Sequence, residues 1–407
     1  MSKVKSIAVV GAGTMGTGIA QLAATNGCSV DLIDVNGDVL ARSLEDIRKR
    51  LDRSVEKKRI TAEERDAIFG RITPHHSFGN LGTVELAIEA VVEDLDIKHK
   101  VFASLAKETV ASAVLATNTS SLSIGKIAEA VDDPSRVVGM HFFNPAPIMP
   151  LVEVIAGEHS ADASVELAFE AARGWGKVPV RVKDTPGFIV NRVARGFYLE
   201  ALRLLGEGVA GVDEIDAVMR THAGFRMGPF ELMDLIGVDV NLAVSGSVWE
   251  QFDKHARFMP HPIQKELVDA GRLGRKTGRG FYGHDGETPI PAYPVDRRSF
   301  ELSPLLADAA VAFCTKAGAV DANHTERYIL CRILGAIINE AGSALSTGVA
   351  GSDDIDTAMM KGTNYPKGPL AWADEIGHRT VRGLLKLLND GVDDNRYEPS
   401  ALFAKAE

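Results

Sequence analysis

Hydrophobic positions near the N-terminus follow the pattern of a strand, a helix and a second strand. Residues 4 to 10 are apolar and rich in valine and isoleucine, which predicts a strand buried on both faces. Residues 11 to 26 have helical spacing, and residues 28 to 34 form a second apolar run. The chain is therefore expected to begin with a βαβ unit.

Shorter apolar runs continue this pattern through the first half of the chain. They lie at residues 86 to 92, 114 to 116, 137 to 142 and 151 to 155, separated by helical or turn-like stretches. Such alternation predicts an α/β domain with a doubly wound, mostly parallel sheet of the Rossmann type, ending near Lys183.

From Asp184 onwards the pattern is helical almost to the C-terminus. Asp184-Thr185-Pro186-Gly187 places an acceptor side chain before a proline, which predicts a helix start. Three prolines between Glu287 and Arg298 predict an extended connector. The predicted domains are 1–183 (the α/β sheet), 184–290 (helical), 291–300 (linker) and 301–407 (helical).

The two helical segments match each other at a constant offset of 140 residues. Gly208-Val209-Ala210 matches Gly348-Val349-Ala350, Gly228-Pro229 matches Gly368-Pro369, and Ile236-Gly237 matches Ile376-Gly377, without a gap. The sequence therefore predicts a duplicated helical domain.

Charge and cysteine content restrict the partners of the protein. A net charge of -10 argues against nucleic acid or an anionic membrane as a partner. The three cysteines lie in apolar surroundings without metal-ligand or redox spacing, so we expect buried thiols and no metal site. Neither a cleavable signal nor a long uninterrupted apolar span is expected, which favours the cytoplasm.

The turn Gly11-Ala12-Gly13-Thr14-Met15-Gly16 carries the first chemical signal. It follows the first strand, opens the helix, and precedes Asp34 by 18 residues. In this setting glycines allow a tight turn and close backbone approach to a pyrophosphate, while the aspartate bonds ribose hydroxyls. A carboxylate at residue 34 would repel a 2′-phosphate, so the turn predicts NAD rather than NADP.

Several further segments resemble the L-3-hydroxyacyl-CoA dehydrogenases. They are Asn118-Thr119-Ser120-Ser121-Leu122, His141-Phe142-Phe143-Asn144-Pro145, Leu151-Val152-Glu153-Val154, Asp184 to Arg192, and Gly274 to Tyr282. The second helical segment resembles the C-terminal domain of the same family, so nearly the whole chain is covered. The resemblance implies NAD-dependent, reversible oxidation of (S)-3-hydroxyacyl-CoA to 3-oxoacyl-CoA.

His141 is the best-placed base among the eleven histidines, because it ends a predicted strand where open α/β sheets bind ligands. Glu153, beyond a proline-containing turn, could return beside it and orient the imidazole. The resemblance implies this His–Glu pair, and it implies that Ser120 and Asn191 hold the substrate oxygen. Asn191 also lies inside an apolar helical run, where asparagine is unusual. The predicted active site is a cleft between domains.

The second helical segment has Cys331 where the first has Asn191. It also lacks a preceding glycine turn and His–Glu pair, so one active site per chain is expected. In the resembled family the helical domain pairs with its twin in a homodimer. An internal twin could replace that interface, which leaves a monomer with an internal pseudo-dimer or a homodimer as the alternatives.

Coenzyme A is an anion, so we expect positively charged side chains where it binds. Residues 42 to 59 form a predicted helix with eight basic and four acidic residues. By resemblance, the residues near CoA are Arg50, Lys57, Lys98 and Ser120. By resemblance also, the residues near the cofactor beyond the glycine turn and Asp34 are Glu93, Lys98, Asn118, Ser120, Asn144 and Lys276.

Two other functions fit parts of these observations. Dehydrogenases of free hydroxy acids such as gulonate or carnitine share the glycine turn and the Ser/His/Glu/Asn set. A non-catalytic NAD-binding scaffold would need only the turn, whereas here the whole set of chemical groups is present.

Overall fold

The computed structural model describes residues 4–79, 81–286 and 288–406. The chain forms two compact units, Met1–Phe188 and Ile189–Glu407. The second unit contains the first predicted helical domain from residue 189 onwards and all of the second, whereas residues 184–188 belong to the first unit.

The first unit is built on an eight-stranded sheet with the spatial order β3-β2-β1-β4-β5-β6-β7-β8. Only β6 and β7 pair antiparallel, and every other neighbouring pair is parallel. This confirms the predicted Rossmann-type, mostly parallel sheet. The strands are β1 (Ser6–Val10), β2 (Ser29–Ile33), β3 (Ile72–His75), β4 (Leu86–Glu89), β5 (Val114–Thr117), β6 (Val137–Phe142), β7 (Leu151–Ala156) and β8 (Val178–Lys183).

Helices cover the sheet, and their apolar faces form its core. The residues of β4, β5 and β6 are all buried, which explains why these strands are continuous apolar runs in the sequence. The helices of this unit are α1 (Thr14–Thr25), α2 (Gly37–Glu56), α3 (Ala62–Phe69), α4 (Leu95–Glu108), α5 (Ile124–Ala128) and α6 (Asp162–Gly174), with a 3-10 turn at Pro134–Arg136.

Two strands, β3 and β8, have no counterpart in the predicted pattern. Both are edge strands of the sheet. Edge strands carry polar residues and proline because one side faces no partner strand, so Ile-Thr-Pro-His and Val-Pro-Val-Arg-Val-Lys lack the apolar run of a central strand.

In its described residues, the second unit consists of helices, their connecting loops and one short hairpin. The hairpin pairs β9 (Tyr282–Gly283) with β10 (Ile290–Pro291), and 3-10 turns lie at Ala256–Phe258 and Arg275–Thr277. The helices are α7 (Val190–Val193), α8 (Arg195–Gly206), α9 (Val212–Ala223), α10 (Pro229–Ile236), α11 (Val238–Gln251), α12 (Pro262–Asp269), α13 (Pro304–Lys316), α14 (His324–Ser346), α15 (Ser352–Gly362), α16 (Pro369–Ile376), α17 (His378–Asn389) and α18 (Ala401–Ala404).

The helix predicted to start at Asp184 begins later, at Val190. Gly187 and Phe188 have φ of 71° and 50°, which an α-helix cannot accommodate. The Asp184 carboxylate instead accepts hydrogen bonds from Ser123 Oγ at 2.7 Å and Gly125 N at 2.9 Å. It therefore stabilises the start of α5 rather than capping α7.

The three cysteines are buried and not disulfide-bonded, as predicted. Among the described residues, one helix, α14, is long and apolar enough to cross a membrane by length and composition alone, and the bent pair of α10 and α11 passes the same test together. Because 78% of the apolar window of α14 is buried inside the protein, its composition is that of a core helix.

Candidate functional site

The glycine turn joins β1 to α1 with little room for side chains. Gly11 has φ of 99°, and a β-carbon there would lie 2.6 Å from the carbonyl oxygen of Ala90. A β-carbon at Gly16 would lie 1.7 Å from the carbonyl oxygen of Gly11. These two glycines are required by the packing of the turn itself.

Gly13, the residue before α1, has a different reason to be glycine. A β-carbon at Gly13 would have no protein atom within 4 Å, so the fold does not exclude a side chain there. The open space lies at the N-terminus of α1, where backbone N–H groups and the helix dipole attract an anion. The residue is therefore suited to backbone approach by a pyrophosphate.

Asp34 lies directly beside this turn at the end of β2. Its Oδ2 accepts a hydrogen bond from Ala12 N at 2.8 Å, and its Oδ1 accepts one from Asn36 N at 2.9 Å. The carboxylate is thus held next to the glycine turn, in the position that a ribose-binding acid requires.

The order of strands reverses between β1 and β4, because β2 and β3 lie on one side of β1 while β4, β5 and β6 lie on the other. Ligands of open α/β sheets bind at such a switch point, at the carboxyl ends of the strands. Asp34 lies on the β2 side. The groups predicted to do chemistry follow β4, β5 and β6 on the opposite side.

His141 and Glu153 face each other across the antiparallel pair of β6 and β7. His141 Nδ1 is 2.7 Å from Glu153 Oε2, and both side chains are buried, with relative exposures of 7% and 0%. The rings of Phe143 and Phe188 lie 4.6 and 5.8 Å from the imidazole centroid. Since Nδ1 is directed to the carboxylate, Nε2 is the nitrogen that can exchange a proton with a substrate.

Ser120 belongs to a loop after β5 that is held by one carboxylate. Glu93 Oε1 accepts bonds from Thr119 Oγ1 at 2.6 Å, Ser120 N at 2.9 Å and Ser121 N at 3.0 Å, and the Ser120 hydroxyl lies 3.3 Å away. Burial opposes ionisation of Glu93, but Lys98 and these hydroxyl and amide donors outweigh it and hold its pKa below the ordinary value. The Glu93 carboxylate is therefore the acceptor that holds the serine loop in place.

Asn118 connects this loop region to the strand that carries the histidine. Its Oδ1 accepts a hydrogen bond from Phe142 N at 2.9 Å, directly after His141. Asn144 lies exposed in the loop between β6 and β7. The structure thus brings Glu93, Asn118, Ser120, His141 and Glu153 to the carboxyl edge of neighbouring strands.

Lys98 does not lie at the surface. It is 1% exposed, and its Nζ lies 2.7 Å from Glu89 Oε1 and 3.2 Å from Glu93 Oε2. The two carboxylates compete with any phosphate for this ammonium, and the predicted contacts of Lys98 with CoA and the cofactor stay predictions. Sequence reasoning missed Glu89, although a glutamate ending a buried apolar strand is an unusual residue that signals a partner.

The remaining predicted CoA contacts lie at the C-terminal end of α2. Arg50 is half-buried, which lowers its pKa, and its Nε donates to Asp46 O at 3.2 Å. Lys57 is exposed just after the helix. Their contact with CoA stays a prediction.

In the second unit, Asn191 occupies the second position of α7 rather than a helix interior. Asparagine is not unusual there, because polar residues are common in a first turn, so only the family resemblance supports the predicted role of Asn191. Lys276 pairs with Asp239, its Nζ lying 2.6 Å from Oδ1. Its predicted cofactor contact is untested.

The 274–282 segment that contributed to the resemblance packs on a buried aspartate. Asp234 accepts hydrogen bonds from Phe281 N and Tyr282 N, each at 2.9 Å. A β-carbon at Gly280 would lie 2.0 Å from Asp234 Oδ1. The glycines of this segment therefore serve packing within the second unit.

A doubly wound sheet, a glycine turn beside an aspartate, and a buried His–Glu pair at the same edge define a dinucleotide-dependent dehydrogenase. The first unit offers the open approach at Gly13 and the carboxylate of Asp34 that fit NAD.

Comparisons with known proteins assign the particular family. The profile of the 3-hydroxyacyl-CoA dehydrogenase NAD-binding domain matches residues 6–185, and that of the 3-hydroxyacyl-CoA dehydrogenase C-terminal domain matches residues 187–284 and 328–406. The chain belongs to the 3-hydroxyacyl-CoA dehydrogenases, and it is an NAD-dependent enzyme that oxidises 3-hydroxyacyl-CoA.

Similar proteins fall into two groups by length. The chain is 39% identical to the 3-hydroxyadipyl-CoA dehydrogenase of Escherichia coli K12, over 99% of this chain and 97% of that protein. Rat mitochondrial hydroxyacyl-coenzyme A dehydrogenase is 39% identical over 69% of this chain and 91% of its own length. The crystal structure of a 3-hydroxybutyryl-CoA dehydrogenase from E. coli K12 superposes with a TM-score of 0.88 at 38% identity, covering 99% of this chain and 98% of that one.

Proposed function

We propose that the enzyme interconverts (S)-3-hydroxyacyl-CoA and 3-oxoacyl-CoA and that His141 is its general base. The proposal rests mainly on the buried contact between His141 Nδ1 and Glu153 Oε2. NAD accepts the hydride that leaves C3 of the substrate. The proton of the 3-hydroxyl passes to His141 Nε2, and the charge of Glu153 stabilises the imidazolium that forms.

Ser120 has the role of holding the substrate oxygen. Its hydroxyl belongs to a loop whose backbone and side chains are fixed by Glu93, so the donor is oriented before the substrate binds. Asn191 is proposed to supply a second donor to the same oxygen. The family resemblance supports this role, and substitution of Asn191 tests it.

The substrate class is tested by steady-state kinetics of the full-length enzyme with NADH. We expect acetoacetyl-CoA to be reduced with a kcat/KM at least about 10²-fold above that of free acetoacetate, because binding of the CoA portion supplies orientation at the reacting carbon. Higher kcat/KM for free oxo acids would favour a gulonate- or carnitine-type enzyme instead. The panel also includes dicarboxylic acyl-CoAs, since one relative is named for 3-hydroxyadipyl-CoA.

We infer further that residues 301 to 407 contain a second copy of the helical domain. Equivalent aspartates support this, because they make the same two bonds in each copy. Asp216 accepts from Phe230 N and Glu231 N at 2.9 and 3.0 Å, and Asp356 accepts from Leu370 N and Ala371 N at 2.8 and 2.9 Å. The double match of the C-terminal domain profile supports the same reading.

Reciprocal contacts support a two-fold relation between the copies. Arg192 pairs with Glu340, and their equivalents 140 residues away, Arg332 and Glu200, pair with each other. A β-carbon at Gly196 would lie 3.3 Å from that of Ala336, its own equivalent. Contacts in which residue i meets j, and the equivalent of j meets the equivalent of i, are the mark of an isologous dimer interface.

The packing of α13 on the second copy supports a single active site per chain. Cys331, the equivalent of Asn191, is fully buried beneath α13, with its Sγ 3.7 Å from Cys314 Sγ and 3.9 Å from Ala310 O. A thiol enclosed in this way cannot orient a substrate. The second copy is therefore proposed to stabilise the first.

The internal two-fold interface favours a monomer over a homodimer built on the same helical face. Sedimentation velocity at micromolar concentration distinguishes the two states. We also propose a cytoplasmic location, because three buried cysteines that form no disulfide suit a reducing compartment.

A further inference from the structure

Glu89, which lies outside the predicted active-site set, is the centre of a buried charge cluster at the edge of the sheet. It is the last residue of β4 and is fully buried. Its Oε1 lies 2.7 Å from Lys98 Nζ and from Val91 N, and its Oε2 lies 2.7 Å from Thr117 Oγ1 and 2.9 Å from the same ammonium. A buried carboxylate with this many donors is held in one position.

The cluster continues to the serine loop. Lys98 Nζ lies 3.2 Å from Glu93 Oε2, while Oε1 of Glu93 accepts the bonds from Thr119, Ser120 and Ser121. Thr117 Oγ1 also accepts from Thr119 N at 3.2 Å. Glu89 therefore fixes Lys98, Lys98 fixes Glu93, and Glu93 fixes the loop that carries Ser120.

The cluster has a net charge of -1, because two carboxylates enclose one ammonium. It lies on the β4–β5 side of the switch point, next to the glycine turn. Ala90 N, directly after Glu89, donates to Val10 O at 2.7 Å, and the β-carbon position of Gly11 meets Ala90 O. With Asp34 on the β2 side, the nicotinamide half of a dinucleotide extends from the glycine turn towards β4 and β5.

The nicotinamide ring is positively charged when oxidised and neutral when reduced. A fixed negative charge in a largely buried setting stabilises the cationic ring more than the neutral one, since burial limits screening by water. We propose that Glu89 is a positioning residue whose charge, through the Glu89–Lys98–Glu93 cluster, biases the cofactor site towards oxidised NAD.

The bias is measured as the ratio of the dissociation constants of NAD⁺ and NADH for the full-length enzyme without acyl-CoA. Fluorescence titration gives the value for NADH, and competition with NADH gives the value for NAD⁺. Glu89→Gln keeps the shape of the side chain and leaves the cluster neutral. We expect the ratio to rise at least about threefold, because only the oxidised ring loses an attractive charge.

A double variant separates charge from structure. Glu89→Gln combined with Lys98→Met again leaves one uncompensated carboxylate, that of Glu93, so the ratio should return to within about 1.5-fold of the wild-type value. If the cluster were merely structural, the double variant would disturb the loop at least as much as the single one. A ratio that stays high in the double variant, or one unchanged in Glu89→Gln, overturns the proposal.

Two further variants complete the design. Thr117→Val removes one hydrogen bond to Glu89 without changing charge, and we expect both constants to shift in parallel. Glu93→Gln, at a side chain 34% exposed, neutralises the cluster from its outer end and should raise the ratio as Glu89→Gln does, which keeps the test decisive if Glu89→Gln fails to fold.

The proposal rests on the assigned NAD-dependent activity, but the two can fail separately. Binding of both cofactor forms with an unchanged ratio refutes the charge bias alone. Binding with the expected ratios but without oxidation of NADH by acetoacetyl-CoA refutes the reaction and leaves the bias intact.

Discussion

Replacing His141 by glutamine should lower turnover by about 10² to 10⁴-fold while the dissociation constant of NADH changes by less than about twofold. The imidazole is the group that exchanges the substrate proton, and glutamine cannot accept it. Cofactor affinity should persist because His141 lies near the end of β6, with β5 and β4 separating it from the glycine turn after β1. Steady-state kinetics and NADH fluorescence titration give the two quantities.

His159→Gln is the matched control for this experiment. His159 belongs to the same unit but is exposed, away from the strand ends that carry the site. Its substitution should leave turnover within about twofold of wild type. Near-wild-type turnover in His141→Gln would refute the role of His141 as the base.

Replacing Arg332 by methionine should lower the free energy of unfolding by about 3 to 5 kcal/mol. Arg332 is 2% exposed, and its guanidinium bonds Glu200, Glu207 and Tyr397. Burial acts to raise the pKa of Glu200, but Arg332 and Arg203 outweigh it and lower the pKa to about 2. Without Arg332, the buried Glu200 carboxylate loses a main source of the positive charge that offsets its burial.

Urea unfolding at neutral pH measures the effect, and Arg297→Met is the control. Arg297 pairs with Glu214 at the surface, where both side chains are about half exposed, so its loss should cost about 0 to 1 kcal/mol. A loss for Arg332→Met no larger than for Arg297→Met would show that the buried ion pairs do not hold α14 against α7 and α8.

The central sheet could be predicted because its strands are buried on both faces. β1, β2 and β4 to β7 all appear as apolar runs. The edge strands β3 and β8 could not, since solvent on one side allows proline and charge. The predicted start of α7 was wrong, because Asp184-Thr185-Pro186 has the composition of a helix cap. The left-handed backbone of Gly187 and Phe188, which delays the helix, is set by the tertiary structure.

The residues proposed to do chemistry could be predicted from the sequence more readily than the buried residues around them. Antiparallel pairing of β6 and β7 places His141 opposite Glu153, a contact that a turn of suitable length made predictable. Lys98 was predicted to lie near the cofactor and CoA, and its enclosure by Glu89 and Glu93 becomes visible only in the folded connection between β4 and α4. The burial of Cys331 under α13 could not be predicted either, because α13 lies outside the residues that match at the offset of 140.

Transfer of the C3 hydrogen is the most direct measurement of the proposed reaction. The enzyme is mixed with (S)-3-hydroxybutyryl-CoA that carries deuterium at C3 and with NAD⁺, and the reduced cofactor is analysed by mass spectrometry after a single turnover. We expect the deuterium to be retained on the nicotinamide ring, because hydride passes directly to the cofactor while the hydroxyl proton goes to His141. Unlabelled NADH, or no NADH from the thioester, would contradict it.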